Sequence, residues 1–188
     1  AGTSTINGAL TTAAGSTLRV LADGNCGGAT LTVRDGFTNQ GRIELTSAIC
    51  ANSATLNVSN GTLTNAAGGT IASLTGAGGP RTLNARLDNQ GTIDVAAGSI
   101  LALNSGSLLN LNAGVLTGGT YRIAGTFQFP NANIVTSAAS IVLDGTGSRI
   151  INQLGADALA NLAVIAAGGS LSLQNGRTLA TAGNLNNS

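Results

Sequence analysis

The sequence predicts an all-β fold, a right-handed parallel β-helix (β-solenoid) with coils of about 21–26 residues. Three observations predict it: a block of residues recurs at about this spacing, short segments alternate apolar and polar residues, and Asn-Gly or Asp-Gly pairs separate these segments. Alternation places apolar side chains on one face of each strand, and recurrence places equivalent positions one coil apart. We expect about eight coils.

The repeat is clearest in two segments that align without a gap. Residues 37–45 read Phe-Thr-Asn-Gln-Gly-Arg-Ile-Glu-Leu, and residues 87–95 read Leu-Asp-Asn-Gln-Gly-Thr-Ile-Asp-Val. A looser copy lies between them, so Asn39, Asn65 and Asn89 recur at steps of 26 and 24 residues. An antiparallel sandwich or barrel would have no reason to repeat one block per coil length. In a solenoid these asparagines would stack at a corner as a structural ladder of side-chain amides.

Segments of strand length carry the alternation. They are residues 17–20, 29–33, 55–58, 99–103, 140–143 and 170–173. The Asn-Gly and Asp-Gly pairs that bound them supply the positive φ that tight corners need. Residues 155–167 fit two patterns: Leu159, Leu162 and Ala166 have helical spacing, whereas Leu162, Val164 and Ala166 alternate. We favour a strand there, with a short helix as the alternative.

The two cysteines, Cys26 and Cys50, are 24 residues apart, which is one coil. Residues one coil apart stack about 4.8 Å apart, inside the Cα window of a disulfide. We therefore expect a structural disulfide, which would place the protein outside the cytosol. Two separate buried thiols are the alternative.

The composition excludes several classes of function. Lys, His, Met and Trp are absent, and the net charge is +1. Without His there is no Ser-His-Asp triad and no His metal ligand, and without Lys there is no Walker A loop. A near-neutral chain does not suit nucleic acid, and no apolar run approaches the ~18 residues of a membrane span. We expect no catalytic residue, metal site or cofactor.

The acidic and glycine-rich candidates have simpler structural interpretations. Glu44 and Asp94 occupy equivalent repeat positions two coils apart, or ~9–10 Å, near the carboxylate spacing of inverting glycosidases. We favour a pair of solvated outward charges at repeat-equivalent positions. The Gly-rich run 76–81 lacks the Lys-Ser/Thr of a phosphate loop, so we expect a surface excursion between coils.

Aromatic and threonine residues give two further candidates. Tyr121, Phe127 and Phe129 form a cluster that would suit a glycan if exposed, but the alternation of the two phenylalanines points both rings to the core. Thr-x-Thr segments occur at 30–32 and 62–64, at positions that do not match within the repeat. Two such segments do not make the regular threonine face of an ice-binding protein.

The repeat-bearing segments resemble those of a known group of proteins. They are residues 37–43, 61–71, 87–93 and 179–187. They resemble repeats of large bacterial secreted β-helix proteins of the filamentous-haemagglutinin and autotransporter-passenger kind, across most of the chain but only as a degenerate style of repeat. The resemblance implies an exported, surface-associated or fibrous protein, often an adhesin or scaffold. Such passengers are often poor in Cys, and the family's N-terminal secretion domain is not recognisable here.

We interpret residues 1–188 as a single β-solenoid domain, a segment of a longer array, because the last residues stop inside the repeat motif. The predicted function is a non-enzymatic structural or adhesive segment of an exported bacterial cell-surface or extracellular fibre protein. Its partners would be further copies stacked into filaments, or a host or surface glycan or protein. Two alternatives stay open: a β-helix carbohydrate-active enzyme or glycan-binding module of lyase or hydrolase type, and an ice-binding β-solenoid.

Overall fold

The computed structural model describes residues 2–23 and 27–188, which wind into a β-solenoid of about seven turns. None of these residues is helical, and the predicted all-β solenoid is confirmed. The described residues form nineteen strands: β1 (Gly2–Ile6), β2 (Thr17–Ala22), β3 (Ala29–Val33), β4 (Phe37–Asn39), β5 (Arg42–Ser47), β6 (Ala54–Asn65), β7 (Thr70–Ser73), β8 (Arg81–Asn89), β9 (Thr92–Val95), β10 (Ile100–Ala102), β11 (Ser107–Leu108), β12 (Leu111–Asn112), β13 (Val115–Ile123), β14 (Thr126–Gln128), β15 (Thr136–Asp144), β16 (Arg149–Ile151), β17 (Val164–Ile165), β18 (Ser170–Gln174) and β19 (Asn186–Asn187).

Parallel pairing between successive coils excludes the antiparallel sandwich. Within the described ranges, one sheet stacks β1-β3-β6-β8-β10-β14-β16, and β4 and β11 pair beside it with β6 and β8. A second sheet stacks β2-β5-β7-β9-β13-β15-β17-β19, with β18 paired to β15. The hairpin of β12 with β13 is antiparallel, unlike the other strand pairs of the described residues. Neighbours in each sheet come from adjacent coils, as a solenoid requires.

The coils vary more in length than the repeat predicts. Measured down the column from Thr17 to Ser170, successive coils advance by 25, 28, 22, 28, 20 and 30 residues. The expected range of 21–26 residues is therefore too narrow, and the expected eight coils become about seven. Only the strands must stay in register, so the connections between them can differ from coil to coil.

The core is a set of apolar columns that run through the stack. One column of the second sheet contains, in order, Leu18, Ile43, Ile71, Ile93, Tyr121, Ile141 and Leu171. The five middle members are at most 1% exposed, whereas the two outer ones are partly exposed. Burying a side chain of this size contributes about 1.5–3 kcal/mol. The alternation seen in the sequence thus becomes a continuous apolar interior.

The aromatic cluster lies in this interior, as predicted. Tyr121, Phe127 and Phe129 are at most 2% exposed, and their neighbouring ring centroids are 6.2 and 5.0 Å apart. Phe37 is also buried, so all four aromatic side chains of the chain are in the core.

Residues 155–167 form neither a helix nor a full strand. Only β17 within them is a strand, so the favoured strand interpretation is correct for two residues and wrong for the rest. Asp157 Oδ1 accepts a hydrogen bond from Leu159 N at 2.8 Å, which turns the chain as a helix N-cap would. The turn does not continue, because Leu159 and Leu162 pack into the core at 0 and 1% exposure. Burial overrides the local helical preference.

Candidate functional site

The structure brings Asn39, Asn65 and Asn89 together as a column of amides at one corner. Asn39 Nδ2 donates to Asn65 Oδ1 at 2.8 Å, and Asn65 Nδ2 donates to Asn89 Oδ1 at 2.8 Å. All three side chains are fully buried. Each lies two positions after the last apolar residue of its strand, and the next coil accepts the hydrogen bonds that the Asn39 and Asn65 side chains donate.

Both ends of this column have partners that sequence analysis did not assign. Thr12 Oγ1 donates to Asn39 Oδ1 at 3.0 Å on the first coil. On the fifth coil, Asn110 Oδ1 accepts from Asn89 N at 2.7 Å, and Asn110 Nδ2 donates to Asn89 O at 2.9 Å. The side chains of Asn39, Asn65 and Asn89 thus bond to one another, whereas the Asn110 side chain bonds to the backbone of Asn89. A faint copy of the repeat around residue 110 is the signal that could have found this position.

Two buried polar atoms lie where the column changes. Asn89 Nδ2 and Tyr121 Oη have no hydrogen-bond partner among the described residues. Burial raises the pKa of the Tyr121 hydroxyl. Gly119 passes so close that a Cβ there would lie 2.3 Å from Asn89 Nδ2. The hairpin that follows Asn110 therefore crosses directly over this end of the column.

The glycine of the Asn-Gln-Gly block is required for close packing between coils. A Cβ on Gly41 would lie 2.5 Å from Ser16 O, and one on Gly91 would lie 2.2 Å from Gly69 O. A Cβ on Gly69 would meet Asn39 O at 2.4 Å and Asn65 Oδ1 at 2.6 Å. These distances are shorter than any ordinary contact, so the backbone of one coil sits directly on the carbonyls of the coil before.

Arg81 is a buried cation that the sequence analysis placed in a surface excursion. Gly76 and its neighbours are exposed as expected, but Arg81 is 0% exposed and stacks between Ala54 and Leu101 on the core side of its sheet. The expectation is therefore wrong for this residue. The preceding glycines allow the chain to fold back over the guanidinium, since Gly78 and Gly79 both have positive φ.

Backbone carbonyls, rather than carboxylates, satisfy the Arg81 guanidinium. It donates at 2.8–3.2 Å to Ser47 Oγ and to the carbonyls of Asn52, Leu74, Thr75, Gly78 and Gly79. No ion pair of the described residues includes Arg81, and burial lowers the pKa of its side chain. The side chain fastens the loop that follows β7 to the loop that follows β5.

One of the two cysteines of the predicted disulfide, Cys50, lies in the loop that Arg81 fastens. Cys50 is half-buried in the loop after β5, and Cys26 lies outside the described residues. The strands that flank the two loops are in register one coil apart, with Ala22 level with Ser47 and Ala29 level with Ala54. The disulfide remains a prediction that this register favours.

The acidic candidates are separated from one another. Glu44 and Asp94 are two coils apart, as expected, with Ala72 between them. Glu44 pairs with Arg42 at 2.7 Å and with Arg19 at 2.6 Å. Hydrogen bonds from Arg42 and then Arg19 lower the pKa of Glu44 despite its partial desolvation. A general acid of a glycosidase needs the opposite shift.

One small cavity does hold two carboxylates. Asp94, Arg122 and Asp144 contribute to its lining, and its volume is about 130 Å³. Asp144 Oδ1 already accepts a hydrogen bond from Asn175 Nδ2 at 2.5 Å. Ligand sites are usually about 300–1,000 Å³, and no aromatic residue lines this one. It is too small to hold a sugar between its two carboxylates.

Threonines are more regular on the outer surface than the sequence analysis expected. Thr30 and Thr32 stack on Thr3 and Thr5, which belong to a Thr-Ser-Thr segment of the first coil. The next coil aligns Thr55 and Asn57 with them. Asn57 Nδ2 donates to Thr32 Oγ1 at 3.3 Å. The column of Thr5 and Thr32 therefore continues with an asparagine on the third coil. The complete Thr-x-Thr array thus has two rungs.

Comparisons with known proteins identify no relative of this chain. No protein-family model, curated protein or solved structure matches this chain. Among the described residues there is no helix long and apolar enough to span a membrane, and no group of three or more potential metal ligands.

Proposed function

We propose that this chain is a rigid, non-enzymatic segment of an exported bacterial surface or fibre protein, which acts as a structural or adhesive rod. The observation that carries the proposal is the column from Leu18 to Leu171, which continues through all seven coils. The buried amides and the fastened loops reinforce it at the corners. Because the contacts between coils extend along the whole stack, they suit a chain with a rigid structural role.

The distribution of reactive groups also favours a structural role. All four aromatic side chains are buried in the core, where they stabilise the stack. Glu44 is committed to two arginines, and the cavity beside Asp94 is small. The similarity of the repeats to bacterial secreted β-helix proteins supports export and adhesion.

Surface labelling of the source cells tests this proposal. Antibodies against the purified chain should label intact cells, and proteinase K added outside should leave the folded chain uncut while it removes other surface proteins. Label found only after the cells are permeabilised would overturn export. Rapid digestion of the folded chain would overturn the rod.

A panel of polysaccharide substrates tests the rival enzymatic function. We expect no release of reducing or unsaturated ends by the purified chain. Turnover that Asp94→Asn or Asp144→Asn abolishes would establish an enzyme at the small cavity instead.

A further inference from the structure

A groove crosses the outer surface at the corner of the fourth coil. We call it the corner groove; Gly61 and Gly106 contribute to its lining, and its polar side chains are those of Asn57, Ser59, Asn84, Arg86 and Ser105. Its volume is about 530 Å³, within the usual range for ligand sites. It lies outside the amide column and the apolar core.

Differences in corner length between neighbouring coils create this groove. From Asn57 to Thr62, β6 advances five residues while β8 advances two, from Asn84 to Arg86, so residues 59–61 bulge outward on the third coil. Residues 104–106 form an exposed corner on the fifth coil. The fourth coil turns directly between them. Walls two coils apart are separated by ~9–10 Å, which leaves room for one extended chain.

The lining is rich in hydrogen-bonding groups with unused capacity. Asn84 Nδ2 donates to Asn57 Oδ1 at 2.7 Å, and Asn84 Oδ1 accepts from Ser105 N at 3.2 Å. Each amide nitrogen carries two protons, and these contacts use one on each asparagine. The amides are therefore held in place and can still bind hydroxyls. Val58 and Ala85 are the apolar members of the lining, and both are buried, so apolar side chains find no pocket here.

The charge of the groove is positive. Arg86 is exposed on its floor and belongs to no ion pair of the described residues, and the lining contains no carboxylate. Asp88, the next outward residue on the same strand, lies outside the lining and forms no ion pair with Arg86. A guanidinium in this position matches a planar carboxylate, which it can bind through two parallel hydrogen bonds.

We propose that the corner groove binds an acidic oligosaccharide built from uronate sugars, with Arg86 on a carboxylate and Asn57 and Asn84 on ring hydroxyls. A single sugar chain fits the width, its hydroxyls match the amides, and its carboxylate matches the lone cation. This inference rests on the proposed adhesive role and names a ligand class for it.

Titration with a uronate hexasaccharide tests the proposal. The neutral control is the same hexasaccharide after its carboxylates have been reduced to alcohols. In NMR spectra at low salt, the acidic ligand should shift the amide signals of residues 57–61, 84–86 and 104–106, and the neutral one should bind about tenfold more weakly or not at all. Arg86→Gln should weaken acidic binding by about tenfold, whereas Arg149→Gln, which changes an exposed arginine three coils away on the same sheet, should not.

Three results would overturn the proposal: no binding by the wild-type chain, shifts confined to residues outside the groove, or equal affinity in Arg86→Gln. Circular dichroism of both variants verifies that the solenoid is intact. Failure of these titrations would not contradict the proposed structural role, because export and protease resistance do not depend on the groove.

Discussion

At the scale of single residues, the molecule depends on buried polar side chains that neighbouring coils satisfy. Asn65 is the central member of the amide column, accepting from Asn39 and donating to Asn89 and to Thr92 O. Arg81 has the same function at another corner, with carbonyls as acceptors. Such groups stabilise the fold only when every partner is present, because an orphaned buried polar atom costs more than a hydrogen bond contributes.

Replacing the central amide should be strongly destabilising. We expect Asn65→Ala to lower the free energy of unfolding by about 2–3 kcal/mol, because it leaves Asn89 Oδ1 unpaired in the core and removes the short hydrogen bond of Asn39 Nδ2. Asn60→Ala is the matched control, since Asn60 is exposed and no hydrogen bond of its side chain is present among the described residues. Urea unfolding followed by circular dichroism measures both, and similar losses in the two variants would contradict the ladder's role.

Removing the buried guanidinium should cost still more. We expect Arg81→Met to lower the free energy of unfolding by about 3–5 kcal/mol, because several carbonyls lose their donor inside the protein. Arg81→Lys should recover only part of the lost stability, since an ammonium group has three hydrogen-bond donors and lacks the planar arrangement of the guanidinium donors. Arg149→Met, at an exposed arginine, is the control. Thermal unfolding ranks the four proteins, and an unchanged melting temperature in Arg81→Met would show that the loops hold without it.

The Glu44 ion pairs should give stability that depends on pH. Its pKa is lower in the folded chain than in the unfolded one, so the contribution is present above the unfolded pKa of about 4.3 and is lost as the pH falls through the folded value. The side chains of Arg19 and Arg42 are 55 and 36% exposed, so solvent screening limits the effect at neutral pH to about 1 kcal/mol.

Unfolding in urea at pH 7 and at pH 3 measures this contribution. Glu44→Gln should be less stable than the wild type at pH 7, and the difference in the free energy of unfolding should be smaller at pH 3. Asp35→Asn, which removes an exposed carboxylate outside the ion pairs of the described residues, controls for the general effect of charge. A constant difference between Glu44→Gln and the wild type at both pH values would argue against the ion pairs.

At the scale of the elements, corners rather than strands distinguish one coil from the next. The strands repeat the same alternation, and among the described residues the register of the β6–β8 and β13–β15 pairs shifts once in each. The corners differ: a glycine packs flat against the previous coil after β4, β6 and β8, three residues bulge at 59–61, and a hairpin is inserted at β12. The surface features of the molecule, including the corner groove, arise from these differences.

Two adjacent glycines provide a direct test of the close packing at a corner. Gly69→Ala should lower stability by about 2–4 kcal/mol, because its Cβ would overlap Asn39 O and the Asn65 side chain. Gly68→Ala should be neutral or slightly stabilising, since a Cβ there meets nothing within 4 Å and the φ angle is ordinary. Melting temperatures of the pair measure the difference, and equal values would refute the packing argument.

At the scale of the whole molecule, stability should be distributed along the stack. Each coil contacts its neighbours, so the stability of a solenoid is close to a sum of coil and interface terms. The Asn39–Asn89 column and the Arg81 loops lie in the first half of the chain. The last strand, β19, has two exposed residues. We therefore expect the C-terminal coil to open before the others.

The predicted disulfide would strengthen this asymmetry. A bond between Cys26 and Cys50 should add about 3 kcal/mol, mainly because it restricts the unfolded chain. Peptide mapping without reductant should recover the two cysteines in one linked fragment, and reduction should lower the urea midpoint in the wild type but not in Cys26→Ser/Cys50→Ser. Two free thiols in the native protein, isolated without reductant, would rule the bond out.

The sequence alone determined the architecture and its regular parts. The alternation of apolar and polar residues assigns the side chains that point inward. The recurrence of one block at coil spacing predicts parallel stacking of the coils. This stacking places Asn39, Asn65 and Asn89 in one column. Only the tertiary structure decided the corners: that Arg81 is buried, that Thr3 aligns with Thr30, and that a groove opens above Arg86. The physical reason is that strand register repeats and can be read from spacing. The path of a corner depends on which carbonyls and side chains the neighbouring coils present to it, and those come together only when the chain is wound.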